Sequence, residues 1–118
     1  MTTSTPPPPD GLQDAGKRLW ASILDTYDLD VHEELLLLQA CRCADRLDLL
    51  TRAATTPTVT NVKGDEVVHP AMVEARQQSL TLSRLLASLR LPSGDEGELN
   101  RPQRRGASRG SYGVRGVV

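Results

Sequence analysis

The chain has 118 residues; 38% are hydrophobic, only 3% are aromatic, and Phe is absent. This length predicts one small domain rather than two cores. No apolar run reaches the roughly 18–20 residues of a membrane-spanning helix, and residues 1–10 lack the basic and apolar parts of a secretory signal. We therefore expect a soluble, intracellular protein with reduced thiols and no membrane contact.

The net charge of −1 conceals an asymmetry along the chain. Residues 1–100 carry 9 Lys and Arg against 15 Asp and Glu, whereas residues 101–118 carry five Arg and no acid. Such a tail suits a partner with phosphates or carboxylates, although it also fits a disordered end that only aids solubility. The candidate DNA contacts in the tail are Arg101, Arg104, Arg105, Arg109 and Arg115.

A second, sparser basic set lies in the body of the chain. Lys17 and Arg18 belong to the first predicted helix, and Arg76, Arg84 and Arg90 belong to the third. We include Lys17 and Arg18 among the candidate DNA-binding residues. The alternative for this set is an ordinary solvated face, because acids are interleaved with it.

The first part of the chain predicts a leader and one amphipathic helix. Residues 1–10 contain four successive prolines and are expected to form a disordered Pro-rich leader. A helix is predicted over about 11–26, because apolar residues recur on one face at helical spacing. That face consists of Leu12, Leu19, Trp20, Ile23 and Tyr27.

The second helix, predicted over 31–54, has apolar residues on two sides. Asp30 followed by Glu33 matches a capping box at its start. Its core face is predicted to hold Leu36, Leu37, Ala40, Cys43, Ala44, Leu47, Leu50 and Ala54. Leu35, Leu38 and Leu49 project among the charges of the opposite face. A helix with two apolar sides is expected to be buried on both.

A β-hairpin and a third helix follow. The β-branched residues of segment 55–69 flank Lys63-Gly64-Asp65, where Gly can adopt the positive φ of a tight turn. Pro70 suits the first position of a helix that runs to Leu91. Its core stripe is predicted to hold Ala71, Met72, Ala75, Leu82, Leu85, Leu86 and Leu89. Val73, Leu80 and Ala87 form a second apolar line at seven-residue spacing.

The predicted fold is mainly α. Three main helices with a β-hairpin between helices two and three form a core and oligomerisation domain over 11–92, and residues 93–118 form a disordered Arg/Gly-rich tail. Few residues remain to cover the second apolar faces, so we expect a further copy of the chain to do so. The alternative is a leucine patch beneath a folded-back tail. The candidate interface residues are Leu35, Leu38, Leu49, Val73, Leu80 and Ala87.

No residue pattern indicates catalysis. Cys41 and Cys43 lie about 200° apart on a helix of 3.6 residues per turn, so they cannot ligate one metal and are expected to be packing residues. His32 and His69 lack a second His or Cys at ligand spacing; His69 is expected to bond within its local turn. We predict no enzyme activity, no metal and no cofactor.

Several motifs together resemble a known family. They are Gly16-x-x-Leu19-Trp20-x-x-Ile23, Tyr27-x-Leu29, a Leu-rich helix with Cys41 and Asp45, a Val-rich hairpin, His69-Pro70-Ala71-x-x-Glu74-x-Arg76, and Leu82-x-Arg84-Leu85-Leu86-x-x-Leu89-x-Leu91-Pro92. This order of helix, helix, hairpin, helix and Arg-rich end resembles the P27 family of small terminase subunits from tailed bacteriophages. The resemblance spans about residues 11–92.

The resemblance implies a non-catalytic DNA-recognition subunit of a genome-packaging motor. Such a subunit forms a homo-oligomeric ring in the host bacterial cytoplasm, binds double-stranded viral DNA and presents it to the large terminase, which carries the ATPase and nuclease. The tail could instead contact the large terminase. A small helical transcription regulator or a structural connector of the phage head is the alternative outside this family.

Overall fold

The computed structural model describes residues 5–92 and residues 103–104. It confirms a mainly helical fold with three helices and a two-stranded hairpin between the second and the third. The elements in chain order are α1 (Asp14–Thr26), β1 (Tyr27–Asp28), α2 (Val31–Ala53), β2 (Thr58–Thr60), β3 (Glu66–Val68), α3 (Pro70–Leu89) and β4 (Gln103–Arg104).

The helix starts follow local rules. In α2, the Asp30 amide donates to Glu33 Oε1 at 2.6 Å, and the Asp30 side chain accepts from the Glu33 amide, which confirms the predicted capping box. Pro70 is the first residue of α3, and His69 Nδ1 accepts a hydrogen bond from the Ala71 amide at 3.0 Å. His69 therefore caps the helix, as its position in the sequence predicts.

The helix ends differ from prediction by a few residues. α1 begins at Asp14 rather than near residue 11, because residues 10–11 form a turn and Gln13 is extended. α2 ends at Ala53 rather than at residue 54. α3 ends at Leu89 rather than at Leu91, because Arg90 adopts a left-handed conformation with φ of 54°.

The hairpin forms as predicted. β2 pairs antiparallel with β3, and Val59 lies opposite Val67. At the turn, Asn61 Oδ1 accepts hydrogen bonds from the amides of Lys63 and Asp65, and Gly64 has the positive φ of 85° that the sequence anticipates. The His69 amide donates to the Pro57 carbonyl and ties the base of the hairpin to α3.

α2 is the central helix, because it packs against both α1 and α3. Leu24, Leu37 and Cys41 are almost fully buried where α1 meets the first half of α2. The end of α3 closes this core through Leu89, and Tyr27 donates its hydroxyl to the Pro92 carbonyl at 3.2 Å. The core cluster is formed by Leu12, Trp20, Ile23, Leu24, Leu37, Cys41 and Leu89.

Two segments outside the helices contact this unit. The Trp20 indole donates to the Pro6 carbonyl at 2.9 Å, and Thr5 donates to the Asp25 carboxylate, so residues 5–6 of the leader lie against α1. β4 pairs antiparallel with β1, and Arg104 lies opposite Tyr27. The sequence predicts neither contact. In each case the contacting residues are far apart along the chain, and the segment outside the helices has no strong helix or strand propensity.

Candidate functional site

Burial is distributed very unevenly in this protein. Every buried residue among the described ranges lies before residue 44, with the exception of Leu89. We call residues 46–82 the arm; it comprises the second half of α2, the hairpin and most of α3. We call the rest of the helical unit, where α1 also covers α2, the three-helix end. The arm consists of two helices and a hairpin, which cannot enclose a side chain completely.

The predicted interface residues are mostly exposed. Leu35 is 60% exposed, Leu49 is 67% exposed and Leu80 is 49% exposed, which is unusual for leucine. Val73 and Ala87 are exposed as well. Leu38 differs, because it is half-buried and packs against the core cluster. Leu38, predicted to project among the charges of the second face, thus lies at the margin of the core.

On α3, three exposed apolar residues lie along one side of the helix. Val73, Leu80 and Ala87 recur every seven residues and are exposed, whereas Ala71, Ala75, Leu82 and Leu89 are half-buried or buried. Seven residues are close to two helical turns, so the first three share one side of the helix. The outward side includes two exposed arginines, Arg76 and Arg84. We call this surface, defined by Val73, Arg76, Leu80, Arg84 and Ala87, the α3 face.

On α2, a smaller apolar surface lies beside the turn from α1. Val31 is 79% exposed and Leu35 is 60% exposed, one helical turn apart. Glu34 is half-buried next to them. We call Val31, Glu34 and Leu35 the turn patch. Sequence analysis missed Val31; its four-residue spacing from Leu35 is the signal that identifies it.

Other apolar side chains of the arm are also exposed. Val67 and Val68 lie on β3, and Val62 projects from the hairpin turn. Met72 is 43% exposed, so its predicted place in the core stripe of α3 is wrong. The position lies about 100° around the helix from Ala71, beyond the edge of the surface that α2 covers.

The candidate DNA-binding residues fall into three groups. Lys17 and Arg18 are exposed on α1. Arg104 is described through its backbone alone, which pairs with Tyr27 in the β1–β4 ladder. The other tail candidates, Arg101, Arg105, Arg109 and Arg115, lie outside the described residues, as does the predicted tail apart from residues 103–104.

The start of α1 is held by a carboxylate from α2. Asp45 Oδ2 accepts from the Gln13 amide at 2.8 Å, and Asp45 Oδ1 accepts from the Gly16 amide at 2.7 Å. These amides have no partner within their own helix, so Asp45 acts as a cap supplied by another helix. Gly16 allows this approach, because a Cβ there would lie 2.6 Å from Asp45 Oδ2 and 2.9 Å from the Cys41 carbonyl oxygen.

A groove of about 450 Å³ adjoins this cap. Its walls include Asp14, Arg46 and Leu49. Asp48 and Arg52, which also line it, form an ion pair at 2.7 Å. The groove therefore combines the exposed Leu49 with charges of both signs, and no catalytic pair converges in it.

The two cysteines are packing residues, as predicted. Cys41 is fully buried and Cys43 is 3% exposed. Burial raises the pKa of the Cys41 thiol to about 12, and the nearby Asp45 carboxylate adds to the shift. A thiol with so high a pKa carries almost no thiolate at neutral pH, so Cys41 is a poor nucleophile and a poor metal ligand.

One cluster among the described residues brings together three groups that could ligate a metal. Ligand atoms of Asp30, His32 and Glu33 lie within 4.8 Å of one another. Asp30 and Glu33 already form the capping box of α2, which explains their proximity without an ion. We therefore assign this cluster a structural role at the start of the helix.

Searches of family models, curated proteins and solved structures give no significant match to the chain. Within the described residues, no helix has the length and apolar content required to cross a membrane. The resemblance to small terminase subunits therefore stays a prediction that depends on the residues quoted for it.

Proposed function

We propose that this chain is a small terminase subunit, a non-catalytic protein that assembles with copies of itself and binds double-stranded viral DNA for the large terminase. One observation carries the proposal. The arm has no buried residue, yet it exposes Leu49, Val73 and Leu80, and the turn patch exposes Leu35. Exposed apolar side chains in such number are typical of protein interfaces, and this supports the self-assembly part of the proposal.

Self-assembly would cover the apolar side chains that the arm leaves exposed. Each Å² of apolar surface removed from water contributes about 25 cal/mol, and a standard interface buries about 800 Å² per partner. A second copy packed on the arm would bury side chains that two helices leave half-exposed. Repetition of one unlike contact between copies closes into a ring when the rotation permits.

DNA binding is assigned to the arginine tail. The five arginines of residues 101–118 keep their charge at physiological pH and can form forked hydrogen bonds with phosphate. Phosphate contacts position a protein on DNA without reading bases, so sequence choice would come from DNA shape or from the large terminase. A ring multiplies the tails and raises their effective concentration near DNA.

The connection between α2 and α3 counts against the transcription-regulator alternative. The hairpin, β2 and β3, separates the two helices. A helix-turn-helix needs a turn of three or four residues and a recognition helix that enters the major groove. Among the described helices, only α1 and α2, joined by residues 27–30, have so short a connection, so α2 would have to be the recognition helix. Residues 46–53 of α2 also carry an ion pair between Asp48 and Arg52 and an exposed Leu49, which do not suit groove insertion.

The first experiment measures mass in solution. Light scattering at micromolar concentration is expected to give a multiple of the 12.8 kDa chain mass. A folded monomer would contradict the proposal, because the exposed apolar faces would then be stable in water without a second copy to cover them. Circular dichroism on the same sample establishes that the protein is folded.

The second experiment compares the full chain with a variant that ends at residue 100, using duplex DNA and increasing salt. Deletion is expected to weaken binding and to reduce the salt slope by up to about 4–5 per chain, as five lost phosphate contacts require. A control in which all five tail arginines become lysine retains the charge and should retain the slope.

Each other outcome of the deletion has a defined meaning. Unchanged DNA binding moves the DNA site to the helical body, where Lys17 and Arg18 are the candidates. Unchanged DNA binding together with loss of large-terminase capture assigns the tail to that subunit instead.

A further inference from the structure

We propose that copies of this chain associate head to tail, with the turn patch of one copy docked on the α3 face of the next. This inference depends on the self-assembly proposed above and specifies the two surfaces that meet. The turn patch is Val31, Glu34 and Leu35. The α3 face is Val73, Arg76, Leu80, Arg84 and Ala87.

The charges of the two surfaces are complementary. Residues 25–34, which lead into and include most of the turn patch, carry five acids and no Lys or Arg; the first Lys or Arg in α2 is Arg42, two helical turns beyond Leu35. Residues 75–92, which contain the α3 face apart from Val73, carry three arginines and no acid, and the exposed Glu74 immediately precedes this segment. Opposite charges at an interface steer association and disfavour wrong partners. The acidic segment around the start of α2 on one copy thus has a basic counterpart in Arg76 and Arg84 on another.

The apolar centres of the two surfaces also match. Each has aliphatic side chains about one or two helical turns apart, Val31 and Leu35 on one side and Val73 and Leu80 on the other. Charged groups flank both centres, with Glu34 beside the first and Arg76 and Arg84 beside the second. An apolar centre with a polar rim is the usual anatomy of a protein interface.

The contact joins unlike surfaces. The turn patch lies at the start of α2, whereas the α3 face lies on the side of α3 that does not contact α2. A symmetric dimer through the turn patch would bring two acidic segments together, and one through the α3 face would pair Arg76 and Arg84 with their own copies. Like-charge repulsion opposes both symmetric dimers and leaves the heterologous contact, which repeats.

The test uses one variant for each surface. Leu35→Lys places a positive charge in the turn patch, opposite the arginines of the α3 face. Val73→Ser with Leu80→Ser removes the apolar centre of the α3 face. All three positions are exposed within the chain, so each variant should keep the helical circular dichroism of the parent. Each alone is expected to dissociate to monomer, with the dissociation constant raised at least about tenfold.

An equimolar mixture of the two variants gives the decisive result. The α3 face of the first variant and the turn patch of the second are both intact, so one contact forms and none can extend it. The mixture should therefore show a dimer of twice the 12.8 kDa chain mass and no larger species. Val62→Lys is the matched control, because Val62 is fully exposed in the hairpin and outside both surfaces; it should assemble like the parent.

The outcomes separate this inference from the proposed function. If the parent assembles and either surface variant assembles equally well, the head-to-tail contact is wrong and self-assembly stands. If both variants dissociate but their mixture stays monomeric, the two surfaces do not meet each other, and the inference is again overturned. If the folded parent itself is monomeric, the proposed function fails first.

Discussion

The three-helix end and the arm contain the same kinds of apolar residue but bury them to different extents. In the three-helix end, Leu24 and Leu37 are almost completely buried because side chains of three helices surround them. In the arm, Leu47, Leu50 and Leu82 face the other helix and remain half-buried. A side chain becomes fully buried when secondary-structure elements pack around it on more than two sides. The arm has no third helix to provide this cover.

The two regions also treat their polar groups differently. In the three-helix end, Asp45 satisfies two amides at the start of α1, and the capping box satisfies the start of α2. In the arm, Gln78 Oε1 is buried and has no hydrogen-bond partner among the described residues. The three-helix end thus satisfies the polar groups at the starts of both helices within one chain, whereas the arm leaves a buried polar atom without a partner among the described residues.

The largest expected effect comes from truncating one leucine in each region. Leu37→Ala should lower the free energy of unfolding by about 2–5 kcal/mol, because a fully buried side chain leaves a cavity. Leu82→Ala should cost about 1 kcal/mol, since its site is already partly hydrated. Urea unfolding measures both changes in free energy, at a protein concentration low enough that copies of the chain do not associate.

Equal losses for the two variants would mean that the arm is as well packed as the three-helix end. A Leu82→Ala cost that grows with protein concentration would instead show that assembly buries the arm.

Sequence periodicity was sufficient to predict the helices and the hairpin. The helical spacing of Leu19, Trp20 and Ile23 and the capping box at Asp30 are local signals, and local signals determine where elements lie. The surplus of apolar positions on two helices also predicted that Leu35, Leu49 and Leu80 would be exposed in one chain. These predictions needed no knowledge of which helices touch.

Contacts that cross the fold were beyond such reasoning. Asp45 looks like an ordinary surface acid of α2, and nothing near it in sequence indicates that it caps α1. Helical spacing alone puts Met72 in the core stripe, whereas it is 43% exposed, because the width of the covered face depends on the exact position of the neighbouring helix.

The close contact between α1 and α2 gives the next largest effect. Alanine normally stabilises a helix interior by about 0.5–1 kcal/mol relative to glycine. Gly16→Ala should instead destabilise the protein by about 1–3 kcal/mol, because its Cβ would lie 2.6 Å from Asp45 Oδ2 and 2.9 Å from the Cys41 carbonyl oxygen.

Thermal or urea unfolding decides the sign of the Gly16→Ala effect. Ser22→Ala, on the exposed side of α1, is the matched control and should change stability by less than about 0.5 kcal/mol. A stabilised Gly16→Ala variant would show that the two helices separate easily at this point.

Alkaline pH probes the same core through Cys41. Burial raises the pKa of its thiol from 9.0 to about 12. Above pH 9 the unfolded chain loses this proton while the folded chain keeps it, so the stability present below pH 9 should fall until about pH 12. The slope contributed by one such group is at most about 1.4 kcal/mol per pH unit.

A Cys41→Ala variant isolates this contribution from other groups that titrate at high pH. Its stability should be lower throughout and should fall less steeply between pH 9 and 12. Parallel pH profiles for the two proteins would contradict the burial of the thiol.

The smallest expected effect tests whether an unsatisfied polar group inside the arm lowers the free energy of unfolding. Gln78→Leu removes a buried carbonyl oxygen that has no partner among the described residues, and it places an apolar group where α3 faces α2. The hydrogen bond from Gln78 Nε2 to Glu74 is lost, but it is exposed and contributes little. The free energy of unfolding should therefore rise by about 1 kcal/mol in urea titrations. Gln77→Leu, at the neighbouring exposed position, is the control and should leave the free energy of unfolding nearly unchanged. A loss of stability in Gln78→Leu would mean that the Gln78 side-chain carbonyl is hydrogen-bonded. The weakness of the arm would then lie wholly in its uncovered apolar faces.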